Sequence, residues 1–305
     1  MNDPHTTTVG FVGLGRMGAP MATRLAEAGY RLSVADAAPV ALAAFLAERT
    51  DTTELDLDAT GPLPDVDVLI VMLPDSNIVE AVLEGGRLAS RLRHGALVID
   101  MSSSDPVRTR GLADRLSARG IRLLDAPVSG GVRGAVAGTL STMVGGSDTD
   151  LDEARPLLEQ LAATVIHVGG VGSGHAAKAL NNLVSATTVS VTVEALQTAE
   201  RFGIDPAVMT EVLNSSSGRT NTSERKVETF MLSGRYDSGF SLPLMSKDVS
   251  IAVDLAHSIG VPAVVSDAVA AQWREIASTS TRDTDHTEMY RLIGAARPVE
   301  RSESS

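Results

Sequence analysis

Residues 8–29 place a buried-strand run, a glycine turn and an amphipathic helix in immediate succession, and no other stretch of the chain constrains the fold as tightly. The run Thr8-Val9-Gly10-Phe11-Val12 leads into Gly13-Leu14-Gly15-Arg16-Met17-Gly18, and the helical pattern continues to Gly29. In that context G-x-G-x-x-G is a dinucleotide-binding fingerprint. Gly13 permits the tight turn, and Gly15 lets a pyrophosphate approach the backbone. Gly18 lets the helix pack on the strand with its first N–H groups toward the phosphates. A second strand, 31–35, runs into Asp36, 23 residues after Gly13, close to the roughly 20-residue interval of a ribose-binding acid. A carboxylate there accepts from both ribose hydroxyls of NAD and repels the 2′-phosphate of NADP. No arginine adjoins it in Ala35-Asp36-Ala37-Ala38-Pro39. NAD is the expected cofactor, with NADP less favoured. The bland alternative is a glycine-rich turn whose Asp36 merely caps the next element.

From residue 8 to about 168, short apolar runs alternate with helical patterns. Further strands are expected at 66–73, 96–100, 122–125, 139–144 and 164–168, with helices at 77–83, 106–118 and 149–161. That alternation predicts βαβ units in a mainly parallel sheet, covered by helices on both faces. The glycine-rich segment 169–174 ends the pattern. A mostly apolar run from His175 to about Arg201 is too long for a strand and reads as a buried helix. Further helical patterns span 206–214, 223–232, 244–259 and 263–278. The fold class expected is an α/β Rossmann-type doubly wound domain at 1–170, joined by a long helix to an all-α C-terminal domain at 171–296 for substrate binding and dimerisation. A tail follows at 297–305.

Charge and composition narrow the function. With 26 Lys and Arg against 38 Asp and Glu, the formal net charge is −12, and no basic stripe offers a path for nucleic acid or an anionic membrane. Zero cysteines rule out disulfides, thiolate catalysis and Cys-based metal sites. The polar start, Met1-Asn2-Asp3-Pro4-His5, is unlike a signal peptide, and no apolar run is long enough to span a bilayer. His167, His175 and His257 lack metal-ligand spacing, so no metal is expected. A cytoplasmic enzyme is the natural reading.

Two segments carry chemistry beyond the cofactor. Asp125-Ala126-Pro127-Val128-Ser129-Gly130-Gly131 ends a predicted strand, where open α/β sheets place ligands. Ser129 offers a hydroxyl, and Gly130 and Gly131 can aim successive N–H groups at one carboxylate; spacing alone equally allows a glycine turn with no ligand. Lys178 and Asn182 share one face of the long helix, with Ser185 beyond them. Near a helix start, the dipole and partial desolvation favour a neutral amine, which can exchange a proton with a substrate hydroxyl. A lysine whose end reaches solvent is the alternative that spacing leaves open. Arg219 sits in a predicted interhelix loop and could reach an anionic substrate. The Lys247-Asp248 pair reads more simply as a surface pair.

Together these segments resemble the β-hydroxyacid dehydrogenase family, the 3-hydroxyisobutyrate dehydrogenase-like enzymes, over most of the chain. The segment from Gly10 through Gly13, Leu14, Gly15, Arg16, Met17 and Gly18 looks like the family's cofactor signature. Asp125 to Leu140 looks like its substrate signature, and Gly172 to Asn182 like its catalytic signature. The resemblance implies Lys178 as the acid/base and Asn182 as its orienting partner, with Ser129, Gly130 and Gly131 holding the substrate carboxylate. It also implies that Leu73, Pro74 and Ser103 line the cofactor cleft and that Lys247 lies near the nicotinamide. The implied partner is a small hydroxyacid or semialdehyde, and the implied assembly a homodimer or homotetramer. The loop 215–224 lacks the tryptophan found near this point in some hydroxyisobutyrate enzymes. That leaves semialdehyde reductases of the tartronate or succinic type, or a threonate-type polyhydroxy-acid dehydrogenase, as alternatives. A non-catalytic NAD-binding sensor is the reading from another class.

Overall fold

The structure is a computed structural model that describes residues 5–63, 65–85 and 88–295; the expected tail at 297–305 lies outside them. The chain divides into two compact units, Met1–Lys178 and Ala179–Ser305.

Among the described residues of the first unit, one nine-stranded sheet holds β1 (Thr8–Val12), β2 (Arg31–Ala35), β3 (Thr53–Glu54), β4 (Val68–Val71), β5 (Leu97–Asp100), β6 (Arg122–Asp125), β7 (Val128–Ser129), β8 (Leu140–Gly145) and β9 (Ala162–Gly169). Their order is β3-β2-β1-β4-β5-β6-β8-β7, with β9 on β8. Pairing is parallel from β3 to β6. β8 runs antiparallel to β6 and β7 and parallel to β9. The chain winds outward from β1 in one direction and from β4 in the other, so the switch point of a doubly wound sheet falls between them.

The central strands are apolar at consecutive positions because both faces are buried. Val68 and Ile70 of β4 join the core that includes Met21 and Leu25 of the helix Gly18–Glu27. Leu69 and Val71 join the opposite core, with Leu112 and Leu116 of the helix Pro106–Ser117. That helix starts where the Asp105 carboxylate accepts from the N–H groups of Val107 and Arg108, at 2.8 and 3.0 Å, an N-cap ahead of a proline at the first helical position. A helix at Pro39–Glu48 escapes apolar periodicity: its segment is almost uniformly apolar, yet only Phe45 is buried.

The long helix runs from Ser173 to Phe202. In the second unit its Ala186, Val189, Val193 and Leu196 pack with Val249 and Val253 of the helix Leu242–Ser258 and with Trp273 of the helix Val264–Ser278. Trp273, the sole tryptophan of the chain, donates its indole N–H to Ser190 Oγ at 3.0 Å, so the apolar body is buried without stranding its donor. The single helix expected at 223–232 is instead two pieces. Thr220 and Ser223 cap a short helix at Asn221–Arg225, and a π-helical turn, Val227–Leu232, follows. The Lys226 carbonyl accepts from Met231 N–H five residues on, at 3.2 Å. An extra residue per turn cannot be read from a 3.6-residue period. Among the described residues, no helix is long and apolar enough to cross a membrane.

Candidate active site

At the carboxyl edge of β1, Gly13 adopts φ 102°, a conformation that favours glycine. A Cβ on Gly13 would collide with the Met72 carbonyl, and one on Gly18 with the Gly13 carbonyl; around Gly15 no atom lies within 4 Å. The chain's own packing thus requires two of the three glycines, while the third faces open space. That is the arrangement a bound pyrophosphate needs, so the residues present fit a dinucleotide. Leu14 is buried, Arg16 exposed and Met17 half-buried. The Asp36 carboxylate accepts from Leu14 N–H at 2.6 Å and from Ala38 N–H at 2.7 Å, tying the turn to the end of β2. Leu73 N–H donates to Ser102 Oγ at 3.0 Å, joining the ends of β4 and β5. Pro74 is exposed beside it, and Ser103 is half-buried after β5.

Further along the same edge, β6 ends in Asp125, which is fully buried. Its Oδ1 accepts from Gly172 N–H at 2.7 Å and its Oδ2 from His175 N–H at 2.8 Å. The carboxylate therefore caps the long helix and holds its first turn against the sheet. Space there is minimal: a Cβ on Gly174 would stand 2.6 Å from the Asp125 carbonyl oxygen. Lys178 follows Gly174 by one helical turn, and it is 7% exposed. Burial pushes the Asp125 carboxyl up, and the His175 imidazole and the two N–H donors oppose that rise. His175 is itself buried, with Nδ1 2.9 Å from Thr109 Oγ1 and Nε2 3.8 Å from Asp100 Oδ2.

Ser129 closes β7, half-buried, opposite Ser141 of β8. Gly130 (φ 127°) and Gly131 (φ 61°) follow in succession, and around the Cβ position of Gly131 there is open space. Two consecutive left-handed glycines make the backbone concavity in which N–H groups converge.

Asn182 lies on the long helix one turn beyond Lys178. Its Nδ2 donates to Asp248 Oδ2 at 2.6 Å, and Asp248 Oδ1 stands 3.6 Å from Lys247 Nζ. Asp248 is 2% exposed, so the Lys247-Asp248 pair is not a solvated surface pair: its acid is spent on fixing Asn182. Adjacency to Lys247 was the only sequence signal for Asp248. Arg219 is 63% exposed, with Glu224 at 3.6 Å. Lys226 of this unit is half-buried, and its Nζ donates to Ser185 Oγ at 3.0 Å; partial burial pushes its ammonium down to about 8, against the pull of Asp285. In the sequence Lys226 hides in the charged run Glu224-Arg225-Lys226-Val227-Glu228.

Residues 8–169 match the NAD binding domain of 6-phosphogluconate dehydrogenase, and residues 172–293 the NAD-binding domain of NADP-dependent 3-hydroxyisobutyrate dehydrogenase. The chain belongs to the β-hydroxyacid dehydrogenase family, oxidoreductases built on an NAD(P)-binding Rossmann-type domain followed by a helical domain. It is 37% identical over 260 residues to 3-hydroxyisobutyrate dehydrogenase of Pseudomonas aeruginosa, covering 83% of this chain and 86% of the relative. It is 36% identical over 255 residues to 2-(hydroxymethyl)glutarate dehydrogenase of Eubacterium barkeri, covering 83% and 84%. Among solved structures, 3-hydroxyisobutyrate dehydrogenase of Mycobacterium tuberculosis, determined with L-serine, superposes with a TM-score of 0.85 at 32% identity, over 94% of this chain and 99% of that one.

Proposed function

We propose that this chain oxidises the hydroxyl of a small 3-hydroxy carboxylic acid with NAD, or reduces the matching semialdehyde, with Lys178 as the acid/base. Bound nicotinamide supplies the hydride acceptor. Ser129 and the N–H groups of Gly130 and Gly131 hold the substrate carboxylate. The neutral Lys178 amine takes the hydroxyl proton as the carbon gives up its hydride and the C=O bond forms; in reverse, the ammonium returns that proton. Asn182, fixed by Asp248, orients the hydroxyl, and Lys247 lies near the nicotinamide. Asp36 favours NAD over NADP, because a 2′-phosphate would meet its carboxylate.

The observation that carries this reading is the Asp125 cap. It roots the lysine-bearing helix on the sheet edge that also presents the glycine turn. Names of relatives support the substrate class: two of the most similar act, by name, on 3-hydroxyisobutyrate and 2-(hydroxymethyl)glutarate, each a 2-(hydroxymethyl) acid. An exposed apolar stripe on the long helix, Leu180, Val184 and Val191 at 44, 63 and 57% exposure, supports association of identical copies.

The test is a screen for NAD reduction over 3-hydroxyisobutyrate, 2-(hydroxymethyl)glutarate, glycerate, threonate and 4-hydroxybutyrate, repeated with NADP. At least one 3-hydroxy acid is expected to give NADH, and to do so faster than it gives NADPH. Measurable NAD binding with no reduction across the panel would instead mark a non-catalytic NAD-binding protein.

A further inference from the structure

His175 takes no part in the chemistry assigned to Lys178, yet it stands three residues before it on the first turn of the long helix, where side chains at that spacing are neighbours. The ring and the Asp100 carboxylate opposite it are both fully buried. Its hydrogen positions follow from its partners. Thr109 Oγ1 gives its one hydrogen to the Asp105 carbonyl at 2.9 Å, so toward the ring, also at 2.9 Å, it accepts. Nδ1 therefore carries a hydrogen. Nε2 is left facing Asp100 Oδ2 at 3.8 Å, without a hydrogen-bond partner among the described residues. Asp100 itself accepts from Ser102 N–H at 2.9 Å on Oδ1 and from Ser104 Oγ at 3.0 Å on Oδ2.

A bare lone pair on Nε2 would set one buried acceptor against another, which is costly. A single hydrogen shared between Nε2 and Oδ2 removes that cost and makes a charge-assisted bond. The gap is about 1 Å longer than such a bond, and hydrogen bonds around a reacting centre are often long until the site is filled. What the contact would join gives it a use. Asp100 ends β5, and Ser102 beside it accepts from Leu73 N–H after β4 at 3.0 Å. The Asp100 end of the pair thus belongs to the strand ends expected to wall the cofactor cleft. The His175 end belongs to the helix turn that Asp125 holds through His175 N–H at 2.8 Å, and that turn leads directly to Lys178. Every residue of this chain of contacts lies in the first compact unit.

We propose that His175 is a positioning residue for the proton transfer. A hydrogen bond between Nε2 and Asp100 Oδ2, closed in the NAD-bound protein, locks the first turn of the long helix to the end of β5 and so sets where the Lys178 amine stands. This rests on the dehydrogenase reading above and deepens it. The contrary reading is a histidine kept only for its bond to Thr109, a packing role that any donor at the Nδ1 position would fill. A lysine displaced by about 1 Å loses on the order of 100-fold in rate, so the two readings differ in turnover as well as in structure.

Two measurements separate them. The first is the nitrogen NMR spectrum of the wild type with isotope-labelled histidine and NAD bound, the His175 ring being assigned through its own backbone amide. Nε2 is expected in the hydrogen-bonded range, and Asp100→Ala is expected to return it to the range of a free ring nitrogen. The second is kcat for the best hydroxyacid, with KM and NAD affinity measured alongside. His175→Asn keeps a donor at the Nδ1 position and loses the reach to Asp100; His175→Gln does the opposite. His175→Asn should lower kcat about 10- to 100-fold while KM and NAD affinity stay within about twofold, and His175→Gln should recover most of that loss. Should the variants fail to fold, the wild-type Nε2 signal alone decides. A free Nε2 in the NAD-bound wild type, or a His175→Asn variant that turns over faster than His175→Gln, overturns the proposal. A wild type that turns over no hydroxyacid removes the dehydrogenase reading, while the Nε2 signal still decides the contact.

Discussion

The two units satisfy their buried polar groups with a different balance of partners. In the first, the buried acids at the strand ends serve backbone: Asp100 accepts from Ser102 N–H at 2.9 Å, and Asp125 from Gly172 and His175. In the second, several polar side chains bond one another, Asn182 with Asp248, Lys226 with Ser185 and Trp273 with Ser190, while Asp285 accepts from Gly239 and Thr287 N–H. A carboxylate that accepts from backbone N–H groups meets donors whose direction the chain path fixes, and so makes a rigid cradle. A buried lysine or histidine depends on what tertiary packing places beside it.

The contrast breaks most easily at Asp125. Asp125→Ala should destabilise the first unit by about 3–5 kcal/mol, because two buried N–H donors lose their acceptor at once, as measured by denaturant unfolding. If the loss is below about 1 kcal/mol, the cap does not hold the helix. A smaller, pH-shaped effect belongs to His286. Its folded value of about 4 lies below the ordinary 6.5, so between those limits the unfolded chain binds more protons than the folded one. Stability should be full above pH 6.5 and fall as pH drops toward 4, by about 3 kcal/mol. His286→Phe should flatten the curve in that window, and an unchanged acid limb would show that His286 is not the titrating group. Next comes the cofactor. Asp36→Ala combined with Ala37→Arg should move the NAD-to-NADP preference about tenfold toward NADP, read from kcat/KM for both. A wild type that already prefers NADP contradicts the role given to Asp36. The smallest effect is Trp273→Phe, which removes the bond to Ser190 and should cost about 1 kcal/mol of stability.

The same difference explains what the sequence made legible. The first unit depends on backbone devices that leave local signatures: Gly13 and Gly18 are glycines because a Cβ has nowhere to go, and uninterrupted apolar runs announce strands buried on both faces. Lys178 and Asn182 were visible because one helix carries both at a four-residue spacing. Asp248 and Lys226 were not, since their partners lie 66 and 41 residues away and nothing local distinguishes them from surface charges. Periodicity also misplaced a continuous helix over 223–232, because a π-helical turn carries no repeat of its own. Arg219, expected in a polar loop within reach of an anionic substrate, stands at the surface with Glu224 at 3.6 Å.

The central claim is that Lys178 moves the proton while NAD takes the hydride. Its most direct measurement is single-turnover NADH formation by the wild type and by Lys178→Ala, with NAD affinity measured in parallel by calorimetry. The account predicts that Lys178→Ala binds NAD within about twofold of wild type yet forms NADH about 100- to 10,000-fold more slowly. A variant that binds NAD normally and turns over near the wild-type rate would contradict it.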